Sequence, residues 1–567
     1  MSVPVHRGGK PIPYGISNYK TIIEKGYVYV DKTMYISSLE QVGVYNLFLR
    51  PRRFGKSLFT TMLGYYYDIN EKDNFDVLFS NTYIGNNPTL EKNTYYVMKF
   101  NFSGMRTGSD KILLESFTRS VYDALFTFCA TYNLDITLEL MSPEIQLSHV
   151  FTQFQAQCNG KIYVIIDEYD HFANELLGFN PQLFKDSVTN DGFVRTWYAT
   201  LKKGADTVVD RIFITGVSPI TLDNLTSGFN IATNISMMPP FNEMVGFTKN
   251  EVELLIQETI PEEHPADLMD ALTEYYNGYL FSEGAKERVF NSDMVLYYLN
   301  HYQQMHKPPR TLLDRNAVSD YGKLEKLITF QTRERNLQIL KEIVFTGYTT
   351  ADLVDTFYIE QEFTAEDFKS LLFYLGLLTI KEPDLGSMRL QLPNAVMNGL
   401  YFDFLMGIIT KEIDYTPDTK PIMAAMRQLA YDNSCELFVG LIEGLLHSFS
   451  NRDYRGFDEK YIKVAMAVYA NVSKLYLIKS EYEVEDGYVD LIFFPRDVTG
   501  GLDIILFELK YIKKGDATEE KIEGNCSEAV KQLQRYRFAK EFERKKITCW
   551  AVVFAGDKCV RRVAVEV

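Results

Sequence analysis

The stretch VGVYNLFLRPRRFGKSLFTTMLGYYY (42–67) carries a continuous apolar run through a short basic loop straight into helical spacing. A buried-type strand that hands its end directly to a helix does not suit a meander of hairpins; it calls for neighbours reached through crossovers. Three more β-rich runs follow, TYYVMKFNFS (94–103), KIYVIIDEYD (161–170) and RIFITGVSPI (211–220), with helical stretches ahead of the last two. Strands apolar on both faces and alternating with helices make a parallel sheet covered on both sides. The first domain is therefore expected to be α/β.

At roughly 100–200 residues per domain, the 567 residues predict an α/β multi-domain chain. The expected segments are an α/β core over 1–240, a helical segment over 241–305, a helical, winged-helix-like connector over 306–420 and a second α/β domain over 421–567. The helical character begins at FTKNEVELLIQETI, where Thr248 and Glu251 form a capping-box pattern, and continues to a hinge-like break at HKPPR (306–310). Two helices, LQILKEIVF and TAEDFKSLLFYLGLL, then precede two short strands, LTIKE and MRLQLP, around a turn at PDLGS. That order suits a winged-helix-like unit or a plain packing spacer. Because neither helix is basic, the spacer is favoured over a nucleic-acid contact.

Asp plus Glu number 75 against 59 Lys plus Arg, a formal net charge of −16. This excludes a protein that coats nucleic acid, which needs surplus cations. It leaves room for a local basic groove. The six cysteines are scattered without a CxxC pair, so neither a zinc site nor a disulfide framework is expected, and a reducing, cytoplasmic setting is. The N-terminal MSVPVHRGGKPIPYG lacks the apolar stretch of a secretory signal, and no later run approaches the ~20 apolar residues of a membrane span. No membrane partner is expected.

In the loop RPRRFGKSL (50–58), Gly55, Lys56 and Ser57 stand where a strand turns into a helix. Backbone N–H groups there face an anion, the lysine reaches terminal phosphates and the serine hydroxyl suits Mg²⁺. Arg52, Arg53, Phe54 and Leu58 complete the candidate nucleotide-binding loop. The usual pattern has another glycine five positions before Gly55, and here that position is Arg50. The strand KIYVIIDEYD supplies the partner element: Asp167 as a Mg²⁺-organising carboxylate and Glu168 as the base that polarises water. Thr215, at the end of RIFITG, is a candidate sensor of the terminal phosphate. Read singly, the loop is a solvated basic turn, DEYD a solvated strand end and Thr215 a locally bonded hydroxyl; together and in this order they point to an NTPase.

From residue 421 the pattern is helix (CELFVGLIEGLLHSF), helix (EKYIKVAMAVYANVS), three strands (KLYLIKSEYEV, GYVDLIFFP, DIILFELKYI), helix (SEAVKQLQRYRFAKEFERK) and strand (TCWAVVFAG). Alternation places Glu508 and Lys510 on one face of a strand, and a hairpin brings Asp490 alongside them. Two converging carboxylates bind Mg²⁺, and a lysine beside them can activate water or stabilise charge developing on a phosphodiester. An exposed Glu–Lys face explains ELK but not an isolated Asp opposite it. On the following helix Gln532 and Tyr536 share a face, among the basic residues Lys531, Arg535, Arg537, Lys540, Arg544, Lys545 and Lys546. These suit a phosphate-backbone groove or a solvated helix face.

RPRRFGKSL, VIIDEYD, FITGVSPI with SGFNIATNIS, GFTKNEVELLI, YYNGYLF, SLLFYLGLLTI and LPN together resemble the AAA-ATPase-like family whose members often carry a C-terminal nuclease domain. The resemblance covers nearly the whole chain and implies a P-loop ATPase core with a helical lid. In that family the loop lacks the first glycine, so Arg50 is no departure. The C-terminal residues resemble the PD-(D/E)xK nuclease superfamily, which implies Asp490, Glu508 and Lys510 as the metal-binding and catalytic set and Gln532 as its helix residue. Val489 stands where the pattern has proline, and Glu436 or Glu443 is a candidate further acid. The resemblance implies ATP and Mg²⁺ as cofactors, nucleic acid as partner with DNA favoured over RNA, and a role in genome defence or mobile-element conflict. An ATP-dependent or ATP-regulated nuclease is the leading expectation. A nucleotide-gated switch that uses the nuclease fold for binding, or a remodelling motor, are the alternatives. A motor would need a homo-oligomer and an arginine finger, for which Arg195 and Arg211 are candidates.

Overall fold

The computed structural model describes residues 9–173, 192–219, 231–261, 267–314, 332–357, 363–412, 418–448, 459–485, 487–496, 501–543 and 545–565. The chain divides into two compact units, Met1–Asn336 with Thr350–Leu390, and Leu337–Thr349 with Gln391–Val567. Each is taken by itself below.

In the first unit, strands β1 (Tyr45–Leu49), β2 (Tyr95–Asn101), β3 (Lys161–Asp167), β4 (Val209–Gly216) and the two-residue β5 (Thr233–Asn234) form one sheet in the order β2-β3-β4-β1-β5. Every pairing is parallel. Only β1 starts later than its apolar run suggests: Val42 closes a helix, Met34–Val42, and Gly43 ends it. Helices cover both faces of the sheet. On one, the phosphate-loop helix Lys56–Tyr67 sets Phe59 against Phe213 and Tyr67 against Tyr163. On the other, the helix Phe193–Ala205 buries Trp197 among Phe100, Phe102 and Phe117. Because β4 lies between β1 and β3, the loop after β1 and the acids after β3 flank Thr215 at one edge of the sheet.

The helical segment that follows contains Lys249–Thr259, Leu268–Tyr276 and Ser292–Met305. Thr248 and Glu251 make both bonds of the capping box. At HKPPR the helix stops at Met305, with His306 in the left-handed region at φ 52°. Further on come the helix Arg333–Thr346, strand β6 (Tyr348–Ala351), the helix Ala365–Tyr374 and the hairpin β7 (Thr379–Asp384) and β8 (Ser387–Gln391). The hairpin turns at Leu385 and Gly386, with φ 47° and 98°, the conformation that favours glycine at one of the two positions.

In the second unit, β9 (Tyr476–Val484), β10 (Gly487–Pro495), β11 (Ile504–Ile512), β12 (Ile547–Ala555) and β13 (Lys558–Val565) form a sheet in the order β13-β12-β11-β10-β9. β11 and β12 are parallel, joined through the helix Glu519–Tyr536; the other pairings are antiparallel. That helix packs Ala529 and Leu533 into a core with Val489, Leu506 and Ala551, while Phe438 of the helix Glu436–Ser448 meets Phe493 and Phe507. β13 is a strand the sequence did not announce, because KCVRRVAV carries exposed charge on an edge. The helix also ends at Tyr536, so Phe538 and Lys540 lie beyond it.

Candidate functional sites

The phosphate loop is closed by its own side chains. Lys56 Nζ donates to the carbonyls of Arg50 at 2.8 Å and Pro51 at 2.9 Å. Burial pulls its ammonium down to about 8, opposed by the charges of Asp167, Glu168 and Asp170. Gly55 caps the helix at φ 96°, a conformation that favours glycine. Arg50 is only 2% exposed and faces inward, donating to the carbonyls of Leu49 (2.8 Å), Ser236 (2.6 Å) and Phe241 (2.8 Å) between the rings of Phe48 and Phe281. It braces the loop from below, so the positive charge at the surface here comes from the residues after it. Phe54 is likewise a core residue, edge-on to Tyr279 and Phe281. Arg53 pairs with Asp293 at 3.1 Å and lies 3.6 Å from Asp314.

Across β4, Asp167 is 4% exposed and its Oδ1 has no hydrogen-bond partner. Burial raises its pKa, against a hydrogen bond from the Ser57 hydroxyl. The Thr215 hydroxyl is also buried without a partner. Two orphaned polar atoms beside a helix N-terminus fit a hydrated cation and a phosphate. Glu168 sits at φ 54° with its carboxylate 3.2 Å from His171 Nδ1, and that hydrogen bond is the main reason its pKa is lowered. Arg52 Nη2 lies 3.5 Å from the same nitrogen. Asp170, which sequence reading left unassigned, accepts from the N–H groups of Val217 and Ser218 and so pins the chain after β4.

Arg52, Arg53, Lys56, Ser57, Glu168 and His171 line a cavity of about 430 Å³, within the range of small-molecule sites. Its far wall is apolar: Ile16, Val28 and Val30 from the N-terminal segment and Val245, Phe247 and Leu255 from the helical segment. No motif marks those residues in the sequence, because single apolar side chains from separate segments carry no spacing. Arg211 is not a finger. It is buried at the start of β4, paired with Glu91, four residues or about 13 Å of strand from Thr215. Arg195 lies in the first turn of the helix Phe193–Ala205.

In the second unit, the antiparallel register of β10 and β11 brings Asp490 beside Glu508 and Lys510, and Asp490 Oδ2 accepts from the Leu509 N–H at 2.7 Å. Glu508 is 2% exposed; burial, with the Asp490 charge second, pushes its carboxyl up to about 8. Lys510 Nζ stands 3.2 Å from Glu508 Oε1, and Glu508 Oε2 and Gln532 Oε1 are buried without partners. Tyr536 packs beneath Gly487. Three residues of this centre were missed by sequence reasoning. Lys463 Nζ lies 2.5 Å from Asp490 Oδ1, 2.5 Å from Glu481 and 3.2 Å from Glu459. Glu459 and Lys463, spaced i,i+4 on the helix Glu459–Val472, look like an ordinary surface pair. Glu481, at φ 49°, stands across from Asp490, between the pairs Ser480–Leu491 and Tyr482–Val489 of an unshifted antiparallel register.

Glu436 and Glu443 do not join the centre: Glu436 pairs with Arg562 at 2.6 Å, and Glu443 accepts from the Cys559 N–H at 2.7 Å. Among the described residues no three acidic, imidazole or thiol groups form a ready-made metal cage. Lysines stand between the acids. The donor chemistry of Asp490 and Glu508, hard oxygens with one orphaned and buried, nevertheless fits a divalent cation. Of the basic residues nearby, Lys540 is paired with Glu485 at 2.7 Å, Lys531 and Arg535 are exposed, and Arg544 lies outside the described residues.

Residues 13–226 match the family model described as a predicted AAA-ATPase, and residues 457–563 match the PD-(D/E)XK nuclease superfamily. The chain joins an AAA-ATPase-like domain to a PD-(D/E)XK domain. A protein described as an uncharacterized protein in the vnfD 5′ region of Azotobacter chroococcum mcd 1 is 26% identical over 296 residues, 51% of this chain and 52% of the relative. The match thus spans about half the length of that relative. Among solved structures, Cdc6p from Pyrobaculum aerophilum is similar at 11% identity and TM-score 0.28, over 68% of this chain and 98% of that one. The ORC2 protein of Aeropyrum pernix, solved as ADPNP–ADP complexes, is similar at 12% and 0.26, over 67% and 97%. The AAA-ATPase-like domain contains the loop, Asp167, Glu168 and Thr215; the PD-(D/E)XK domain contains Glu459, Lys463, Glu481, Asp490, Glu508, Lys510 and Gln532. All six cysteines are free thiols, and among the described residues no helix is long and apolar enough to cross a membrane.

Proposed function

We propose that this protein is a nuclease that cleaves phosphodiester bonds of nucleic acid, with DNA favoured over RNA, and that nucleotide binding at its phosphate loop regulates cleavage. The observation that carries the reading is the meeting of Asp490, Glu508 and Lys510 on adjacent strands, with a buried Glu508 oxygen left without a partner. Asp490 and Glu508 would hold Mg²⁺, which when bound supplies Lewis-acid polarisation and an acidified water. Lys510, 3.2 Å from Glu508, is placed to stabilise negative charge developing on the phosphate. In the ATPase-like domain, Lys56, Ser57 and the first N–H groups of the loop helix would hold the phosphates of ATP, Asp167 its Mg²⁺, and Glu168 would orient water once released from His171. Genome defence or mobile-element conflict is the setting this pairing of activities suits.

The test is a cleavage assay with Mg²⁺ on single- and double-stranded DNA and RNA, with and without ATP. Asp490→Ala and Lys510→Ala are expected to lower cleavage by about 100-fold or more, and Lys56→Ala to remove the response to ATP. Cleavage unchanged in both nuclease variants would overturn the assignment. Cleavage indifferent to ATP in the wild type would remove the regulatory half.

A further inference from the structure

The PD-(D/E)XK centre already contains a cation. Lys463 is 7% exposed, and its ammonium lies within 3.2 Å of carboxylate oxygens from three different elements: Glu459 on its own helix, Glu481 on β9 and Asp490 on β10. An ammonium has three N–H donors and no acceptor, so these contacts match its capacity. Of the two Asp490 oxygens, Oδ2 is committed to the Leu509 backbone N–H, which the strand fixes in place; Oδ1 is the one Lys463 holds. Close by, Glu508 is 2% exposed and its Oε2 has no partner. A divalent ion that takes Asp490 Oδ1 and the orphaned Glu508 oxygen must come to the oxygen where Lys463 now sits.

We propose that Lys463 is a built-in stand-in for the divalent ion: it neutralises the carboxylates when no ion is bound and must swing away for one to bind. The inference rests on the nuclease reading above and adds the regulation of that same site. Buried carboxylates repel one another unless a cation lies between them, and one positive charge on a flexible four-carbon stem is exchangeable for two on an ion. The consequence is a centre that remains folded but idle until the divalent ion outcompetes its own side chain.

The experiment measures Mn²⁺ binding to the full chain by calorimetry and paramagnetic resonance, in wild type, Lys463→Met, Lys463→Gln and Asp490→Asn. The nuclease-site ion is counted as the binding that Asp490→Asn removes. Both Lys463 variants are expected to bind that ion at least about tenfold more tightly than wild type, since removing a neighbouring positive charge favours a cation. Mn²⁺ should also raise their melting temperatures more than it raises that of wild type. Lys463→Gln keeps a hydrogen-bond donor and guards against misfolding of the methionine variant. If both variants fold only with Mn²⁺, the ion has taken the ammonium's place and the proposal stands; if neither folds with it, the ion cannot substitute and the proposal falls. Affinity equal to or weaker than wild type, while Asp490→Asn still removes an ion, overturns this proposal and leaves the nuclease reading intact. If Asp490→Asn removes no binding from any of these proteins, both fall together.

Discussion

Arg50 shows how a motif position can be filled by a residue with a different task. Five residues before Gly55, it is buried and donates to three backbone carbonyls, that of its neighbour Leu49 and those of Ser236 and Phe241 in the chain after β5. Putting back the glycine of the commoner loop pattern should therefore harm the protein. Arg50→Gly is expected to lower unfolding free energy by about 3 kcal/mol, because it deletes charge-assisted bonds and leaves buried carbonyls unpaired; a urea melt equal to wild type would show that the brace is dispensable. Glu508 offers a pH test at the same scale. Its carboxyl is raised from 4.5 to about 8, so over that window the folded state holds a proton that the unfolded state releases. Its contribution to stability is full below the unfolded value and is lost as pH rises through about 8. In chelator, wild type should lose stability across that window relative to Glu508→Gln, and parallel pH profiles would rule the shift out. The apolar strand around Glu508 marked it in the sequence as a site carboxylate, whereas nothing in the basic loop marked Arg50 as an inward-facing brace.

At the scale of elements, the strands of the first sheet were legible because β1, β3 and β4 are buried on both faces and leave continuous apolar runs. The chemistry at their ends was legible only in part. Asp167 and Glu168 announced themselves as a pair, whereas Asp170 looked like the solvated end of the same run. It instead accepts from Val217 and Ser218 at the end of β4, and Gly216 makes room for it, since a Cβ there would lie 2.4 Å from Asp170 Oδ1. Asp170 thus ties the ends of β3 and β4 together, the edge where Thr215 stands. Asp170→Ala should cost about 2–3 kcal/mol through unpaired buried N–H groups and weaken binding of a fluorescent ATP analogue. Lost stability with unchanged nucleotide affinity would mean that the tie does not position the site. In the second sheet the centre was half-legible for a similar reason. Asp490, Glu508 and Lys510 lie on strands whose alternation can be counted, but Glu481 depends on the β9–β10 register that sets it across from Asp490, and Lys463 on which face of its helix is buried.

At the scale of the whole molecule, the net charge of −16 coexists with buried cations at both candidate sites: Lys56 under the loop after β1 and Lys463 among carboxylates. Net charge therefore says little about either site. The division into units has sharper consequences, because the second unit is discontinuous, built from Leu337–Thr349 and Gln391–Val567. Within it, the carbonyl of Val344 accepts from the Ser480 hydroxyl at 3.0 Å. From the helix Ala395–Glu412, Asn398 donates to the Ile478 carbonyl at 2.9 Å, and Gly399 and Asp403 accept from the buried Asn471. A fragment that starts at 421 leaves those partners behind, and an Asn471 amide without acceptors costs about 1–3 kcal/mol beyond the lost helix packing. Thermal stability should therefore rise from 421–567 to 391–567, and rise again when 337–349 is joined to 391 through a flexible linker. Equal melting temperatures for the first two fragments would show that the helix Ala395–Glu412 is a passenger. If only the third step were absent, the early segment would be the passenger, and the PD-(D/E)XK domain would fold without any residue that precedes Gln391.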